Sequence, residues 1–240
     1  MSPSETSVVL VHGAWADGYS WSKVIPLLHA AGVPAVIAPL PLTSLSDDVT
    51  ALDRTLARLD GDAVVVGHAY AGAVIASTRH RKVRSLVYVA ALAPSEGETV
   101  ADVFYRAAPD PQAPALAPDH DGLIWLPRDA FASAFAQHAS AEELGILAAA
   151  QRPLSLACIT VAVNRPRWMD LPSWYLIAEQ DRMIAPDTQR FMARRMQART
   201  RSYPVDHTPS VTAPRVVAEL ILEAVNPSIA ANTSRQEKFA

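Results

Sequence analysis

The sequence predicts an α/β fold in which helices cover both faces of a mostly parallel sheet. Short apolar runs alternate along the chain with stretches whose apolar residues recur at helical spacing. The apolar runs are nearly continuous, as in strands that are buried on both faces, rather than alternating with polar residues. A chain of 240 residues can form one such domain.

The first half of the chain alternates between strands and helices. Apolar runs predict strands over residues 8–11, 33–38, 62–66 and 84–91. Helical spacing predicts a helix over 20–31 that stops at Gly32, and another that starts at Ser46 as its N-cap and continues through Leu59. A third helix is predicted to follow the strand over 62–66 and to end near Thr78.

The alternation is interrupted from residue 94 to residue 168. This stretch contains a Pro/Ala-rich segment and shorter helical patterns around 130–138 and 141–151. The alternation then resumes, with strands predicted over 173–178 and 201–205 and helices over 186–196 and 214–225. We therefore expect a single domain over 1–240, an inserted helical cap over 94–168 and a flexible tail over 226–240.

Composition excludes several classes of function. The net charge of −3 gives no reason to expect nucleic acid or an anionic membrane as a partner. The basic run at 79–82 falls where a helix is predicted to end, and cations there complement the helix dipole. The N-terminus lacks the features of a signal peptide, and the lone Cys158 fits a reducing compartment, so a cytoplasmic location is expected.

No motif of the sequence is typical of a cofactor or metal site. A Gly-rich phosphate loop is absent after the first strand, and so are the H-E-x-x-H and paired-cysteine patterns. We expect no cofactor and no metal.

The segment 63–72, AVVVGHAYAG, is the most informative part of the chain. A buried strand, a tight turn and the start of a helix are typical of the nucleophile elbow G-x-S-x-G. Ala69 stands where that pattern has serine, and Ala71-Gly72 replaces its last glycine. A methyl group at this position cannot attack a carbonyl.

Two further residues follow strands in the order that hydrolases of this type use. Asp181 comes after the strand over 173–178, and His207 comes after the next strand and before the last helix. Together with His12-Gly13-Ala14-Trp15 and the elbow, they give the order nucleophile, acid, histidine. From about residue 7 to 225 the chain resembles the α/β-hydrolase family, in particular the small capped esterase-like branch that includes plant methylesterases and hydroxynitrile lyases.

The resemblance implies a role for each matching position. His207 would be the general base, Asp181 would orient it, and the backbone amides of Ala14 and Tyr70 would form the oxyanion hole. Glu96 is the main alternative for the acid, because some relatives place it after the fourth strand. His12 and His68 are interpreted as packing or loop-fixing residues.

Two tryptophans are candidates for contact with substrate. Trp15 follows the first strand, and Trp125 belongs to the predicted cap. Both could instead be ordinary core residues.

Two hypotheses account for Ala69. In the one we favour, an engineered serine-to-alanine change has silenced an acyl hydrolase that acts on a hydrophobic ester or lactone through an acyl-enzyme. In the other, the alanine is natural, and the protein binds a ligand or acts as a His-dependent lyase, isomerase or cyclase. A monomer and a homodimer remain open.

Overall fold

Two β-sheets lie within residues 6–227, the part of the chain that the computed structural model describes. The strands are β1 (Ser7–Val11), β2 (Ala35–Ala38), β3 (Ala63–His68), β4 (Val83–Val89), β5 (Leu123–Ile124), β6 (Leu154–Ser155), β7 (Ser173–Ala178) and β8 (Arg199–Tyr203). Six of them form a parallel sheet in the order β2-β1-β3-β4-β7-β8, and β5 pairs with β6 in a small antiparallel sheet. The predicted fold class is confirmed.

The strand predictions agree best where both faces of the strand are buried. Every residue of β3 and of β7 is buried, and the apolar run of β7 coincides with the predicted 173–178. The edge strands deviate more. β2 begins two residues after the predicted start at Val33, and β8 is shifted by two residues from the predicted 201–205, since its side chains are largely exposed and give little apolar signal.

Helices cover both faces of the large sheet. They are α1 (Val24–Ala30), α2 (Leu45–Ala57), α3 (Ala71–Ser77), α4 (Val100–Phe104), α5 (Ala141–Ala150), α6 (Pro186–Arg195), α7 (Pro209–Thr212) and α8 (Pro214–Val225). α1 and α8 pack together on one face, and α2 and α3 pack together on the other. Each face of the sheet thereby contributes to its own apolar cluster.

One predicted helix cap is wrong. Ser44 caps α2, because its backbone is extended and its hydroxyl accepts the Asp47 N–H at 3.0 Å. Ser46 lies inside the first turn instead. The predicted helix over 20–31 is also divided into a 3₁₀ turn, Gly18–Trp21, and α1.

The region between β4 and β7, predicted as a helical cap, mixes several kinds of structure. It contains α4, α5, the β5–β6 pair and a π-helical turn, Phe131–Phe135, in place of the helical piece expected over 130–138. Of the tail predicted over 226–240, only Asn226 and Pro227 belong to the described residues. No helix within 6–227 is both long and apolar enough to cross a bilayer.

The basic segment after α3 acts on the ends of two helices. Arg79 donates to the carbonyls of Ala76 and Thr78 at the end of α3. Lys82 donates to Leu56 O at 3.2 Å and to Ala57 O at 3.1 Å, at the end of α2. Both cations complement the negative end of a helix dipole, as the sequence predicted for this run.

Gly72 allows α3 to approach the loop after β4, and its replacement gives a test of the fold. A Cβ at this position would lie 2.2 Å from Leu92 O, and backbone atoms cannot move aside easily. We expect Gly72→Ala to lower the free energy of unfolding by about 1–3 kcal/mol in urea titrations. Gly145→Ala is the matched control: it lies in α5 with nothing within 4 Å of the added methyl, and should stabilise by about 0.5–1 kcal/mol. Equal effects of the two substitutions would contradict this account.

Candidate active site

Ala69 occupies a strained turn between β3 and α3. Its φ is +49°, a left-handed conformation that costs a non-glycine residue about 1–3 kcal/mol. Hydrogen bonds hold it there: its carbonyl accepts Leu92 N–H at 2.9 Å and Gly72 N–H at 3.1 Å, and its N–H donates to Val89 O at 3.3 Å. The turn therefore keeps the geometry of a nucleophile elbow although it carries no hydroxyl.

The predicted acid and base form a buried pair. His207 Nδ1 lies 2.8 Å from Asp181 Oδ2, and neither side chain is more than 2% exposed. Glu96, the alternative acid, is exposed on the loop after β4. Asp181, rather than Glu96, is thus the carboxylate that contacts the histidine.

The Asp181 carboxylate accepts three more hydrogen bonds. Oδ1 accepts the backbone N–H groups of Met183 and Ile184, each at 2.8 Å, and Oδ2 also accepts Gln189 Nε2 at 2.8 Å. A buried charge is stabilised only when such donors replace its water. The loop after β7 and the side chain from α6 therefore fix the carboxylate in one orientation toward His207.

Two backbone amides at the elbow and at the end of β1 are free. Among residues 6–227, the N–H groups of Ala14 and Tyr70 have no hydrogen-bond acceptor, and both residues line the same cavity as Ala69. Tyr70 precedes α3, so its amide also lies at the positive end of a helix. Two free donors that converge on one cavity can bind a developing negative charge.

His12 fixes the loop that carries the Ala14 amide. Its Nε2 accepts Leu40 N–H at 3.1 Å, so the proton is on Nδ1, which donates to Gly13 O at 3.0 Å. Burial lowers the pKa of His12, which keeps the ring neutral. The structure agrees with the interpretation of His12 as a loop-fixing residue.

His68 lies beneath the histidine of the pair. Its Nε2 donates to the His207 carbonyl at 2.7 Å, and the centroids of the two rings are 4.8 Å apart. Burial is the main cause that lowers the pKa of His68 to about 3. A neutral His68 can therefore hold the His207 backbone without placing a second positive charge beside the ring.

The side chain of Tyr70 is anchored below the elbow. Its hydroxyl donates to Asp48 Oδ2 at 2.7 Å, and the thiol of Cys158 is 3.7 Å from the same oxygen. Burial raises the pKa of the Asp48 carboxyl above its usual range and that of the Cys158 thiol to about 12. The anchor ties α2 to the residue whose amide faces the cavity.

The π-helical turn Phe131–Phe135 joins the inserted region to the histidine loop. The ring of Phe135 is 5.3 Å from the ring of His207, and its carbonyl accepts Thr208 Oγ1 at 2.6 Å. His138 N–H donates to Asp206 Oδ2 at 2.9 Å. One wall of the site therefore belongs to the insertion and is fixed to the residues on either side of His207.

We call the space in front of Ala69 the inner cavity. It encloses about 570 Å³ of empty space, of which the centre of a water-sized sphere can reach about 50 Å³. The residues that line it are mostly apolar: Ala14, Trp15, Ala69, Tyr70, Leu92, Val100, Ala101, Phe104, Tyr105, Leu116, Ile124, Leu154, Ile159, Met183, Ile184 and His207. The inner cavity is thus narrow and apolar, with the histidine and the free amides at one end.

The two tryptophans proposed to contact substrate differ. Trp15 lines the inner cavity, and its Nε1 donates to Ile124 O at 2.9 Å. Trp125 does not line it: the side chain is 47% exposed and its Nε1 donates to Asp119 Oδ2 at 3.2 Å. Adjacent residues of a strand face opposite sides, so Ile124 faces the cavity where Trp125 was predicted to.

Three residues near the site were missed by the sequence analysis. Asp48 was interpreted only as a charge in the first turn of a helix, and Gln189 and Phe135 as ordinary helical residues. A carboxylate on the buried face of an amphipathic helix was the one available signal, for Asp48. The other two act through contacts with residues distant in sequence, which local patterns do not encode.

A model of the alpha/beta hydrolase family matches residues 8–220, and the chain belongs to that family. It is 31% identical over 116 residues to a carbendazim-hydrolysing esterase of Nocardioides sp. (strain SG-4G), which covers 42% of this chain and 48% of the esterase. It is 24% identical to methylesterase 2 of Arabidopsis thaliana over 89% of this chain and 94% of the relative.

The fold is also similar to that of a solved esterase. The crystal structure of polyneuridine aldehyde esterase matches with a TM-score of 0.80 at 18% identity, over 92% of this chain and 100% of that one. The predicted resemblance to the esterase-like branch is confirmed. The family and its esterase relatives support an α/β-hydrolase enzyme of the esterase type.

The buried His68 makes stability depend on pH. Unfolding exposes a ring of ordinary pKa, near 6.5, whereas the folded value is about 3. Below pH 6.5 the unfolded chain takes up a proton that the folded protein refuses, so stability falls as the pH falls toward 3. Between pH 7.5 and pH 5 this loss amounts to about 2 kcal/mol.

His68→Gln should remove this part of the pH dependence. Urea unfolding at pH 7.5 and pH 5 should show a difference that is smaller than in the parent by about 2 kcal/mol. His120→Gln, which replaces an exposed ring, is the control and should leave the difference unchanged. If both variants keep the parent's pH dependence, His68 does not have the lowered pKa.

Proposed function

We propose that this is the site of a serine-type carboxylic ester or lactone hydrolase whose nucleophile position is occupied by alanine. One observation supports this above the rest: the 2.8 Å Asp181–His207 pair lines the same cavity as the strained elbow at Ala69. The free amides of Ala14 and Tyr70 complete the set of groups that acyl transfer requires.

With a serine at position 69, each group has a defined step. His207 Nε2 takes the hydroxyl proton as Oγ attacks the substrate carbonyl, and returns it to the leaving alkoxide. Asp181 keeps Nδ1 protonated and stabilises the imidazolium that forms. The amides of Ala14 and Tyr70 donate to the oxyanion. A water activated by His207 then hydrolyses the acyl-enzyme, and the steps use no cofactor.

The chain with Ala69 lacks the attacking atom and keeps everything else. Alanine preserves the backbone at the elbow and removes only Oγ, so a substrate can bind without forming an acyl-enzyme. Intact partners around an absent nucleophile are what an engineered serine-to-alanine change would leave. We propose a small to medium hydrophobic ester as the substrate of the parent activity, in a cytoplasmic protein that binds neither nucleic acid nor membrane.

A second candidate function rests on the packing of Ala69. The residue is 6% exposed and belongs to the main apolar cluster, as a natural floor of a binding cavity would. His207 Nε2 has no hydrogen-bond partner among residues 6–227. A natural alanine would thus suit a ligand-binding protein, or a lyase, isomerase or cyclase in which His207 moves a proton directly.

Ala69→Ser is the deciding change. We expect the parent chain to hydrolyse p-nitrophenyl acetate at background, and the serine variant to exceed it by as much as a million-fold, on the order of the loss that removal of a catalytic serine causes. A fluorophosphonate probe should add its mass to the variant alone in intact mass spectrometry.

Two controls accompany this assay. Ala69→Ser combined with His207→Ala should lose both the turnover and the adduct, because the serine has no base. Ala73→Ser places a hydroxyl one turn further along α3 and should gain neither. If Ala69→Ser is folded and inert, the hydrolase proposal fails and proton-transfer assays that depend on His207 become the test of the second candidate.

The acid can be tested in the same active background. In the Ala69→Ser protein, Asp181→Asn should lower kcat by about four orders of magnitude, because an amide favours the wrong tautomer of the histidine. Glu96→Gln in that background should change kcat less than twofold. A large loss with Glu96→Gln and a small one with Asp181→Asn would reverse the assignment of the acid.

A further inference from the structure

A second pocket continues from the inner cavity. We call it the outer pocket; the centre of a water-sized sphere can reach about 270 Å³ of it. It shares four residues with the inner cavity: Phe104, Tyr105, Leu116 and Met183. The residues that line only the outer pocket are short or rigid: Ala107, Ala108, Pro109, Ala113, Pro114, Ala115 and Ala185. The two spaces therefore meet at a junction of four larger apolar side chains.

The inner cavity offers polar groups only at the end near Ala69. Among the residues that line it, the His207 ring and the amides of Ala14 and Tyr70 are the groups free to bind a polar atom. The Tyr70 hydroxyl is already bound to Asp48. A ligand that fits this cavity has one polar group at the elbow and no other polar atom until it reaches the outer pocket.

The shape of the inner cavity restricts the width of the ligand. Its empty space is about 570 Å³, yet the centre of a water-sized sphere reaches only about 50 Å³ of it. The space is therefore a thin slot between side chains rather than a rounded chamber. A slot of this kind accepts a single extended chain and rejects a branched or bulky ring system.

We propose that the protein binds a linear aliphatic acyl compound whose carbonyl lies at Ala69 and whose tail passes Leu116 and Tyr105 into the outer pocket. The Ala/Pro-rich segment 107–118, for which the sequence gave no function, thereby forms the subsite for the distal part of the chain. The placement of the carbonyl rests on the proposed function, whereas the placement of the tail rests on the two connected pockets.

The Ala69 chain itself serves for the binding test, because it should not consume an ester. Calorimetric titrations would use methyl butanoate, hexanoate, octanoate and decanoate. Affinity should rise about fourfold for each methylene that becomes buried. Ala113→Phe, which fills the outer pocket, should weaken decanoate at least tenfold and leave butanoate unchanged. Ala117→Phe is the control, since Ala117 is exposed in the same segment and lines neither pocket.

Specific outcomes would overturn the tail subsite. An affinity that does not depend on chain length, or an Ala113→Phe variant that binds decanoate as the parent does, excludes it. So does tighter binding of methyl pivalate, a branched ester, than of methyl hexanoate. These results leave the proposed function untouched, because Ala69→Ser is assayed with p-nitrophenyl acetate, which is too short to reach the outer pocket. An inert Ala69→Ser protein that still binds decanoate through Ala113 would leave the subsite standing and reject the hydrolase.

Discussion

The site depends on one backbone constraint, the left-handed turn at Ala69. Hydrogen bonds from the turn to Val89 and Leu92 tie it to the end of β4, and the lack of a side chain at Gly72 lets α3 approach closely enough for them to form. The turn directs the residue at position 69 into the cavity and presents the next amide, at Tyr70, beside it. Because the strain is held by the main chain, it survives with alanine at position 69.

The charged part of the site follows the same logic of fixed geometry. The Asp181 carboxylate is buried, and four donors replace the water that it has lost. His68, which touches the histidine from below, is kept neutral by burial, so it supports the loop without repelling an imidazolium. A buried negative charge thus lies on one side of His207 and an uncharged ring on the other.

The inserted region contributes both shape and support. Phe135 packs on His207, while Trp15 contacts Phe135 by an edge-to-face arrangement and donates to Ile124. The insertion is therefore attached to the loops that carry the catalytic groups, and it also forms the outer pocket. Changes in residues 107–118 can alter which ligand is bound while the elbow and the Asp181–His207 pair stay in place.

The sequence by itself determined the fold class, the buried strands and three positions of the site. Ala69, Asp181 and His207 each follow a strand of a parallel sheet, and the carboxyl ends of such strands meet at one edge, so their order in the chain was enough to bring them together. The Asp181–His207 contact spans only 26 residues and follows two adjacent strands.

Only the tertiary structure decided which residues line the cavity. Trp15 meets Ile124 across 109 residues, and Thr208 meets Phe135 across 73, contacts that no local pattern encodes. The same holds for Trp125, which composition made a good candidate and the pleat of a two-residue strand turned outward. Sequence periodicity records which face of an element is apolar, but the partner of that face depends on how the insertion packs against the sheet.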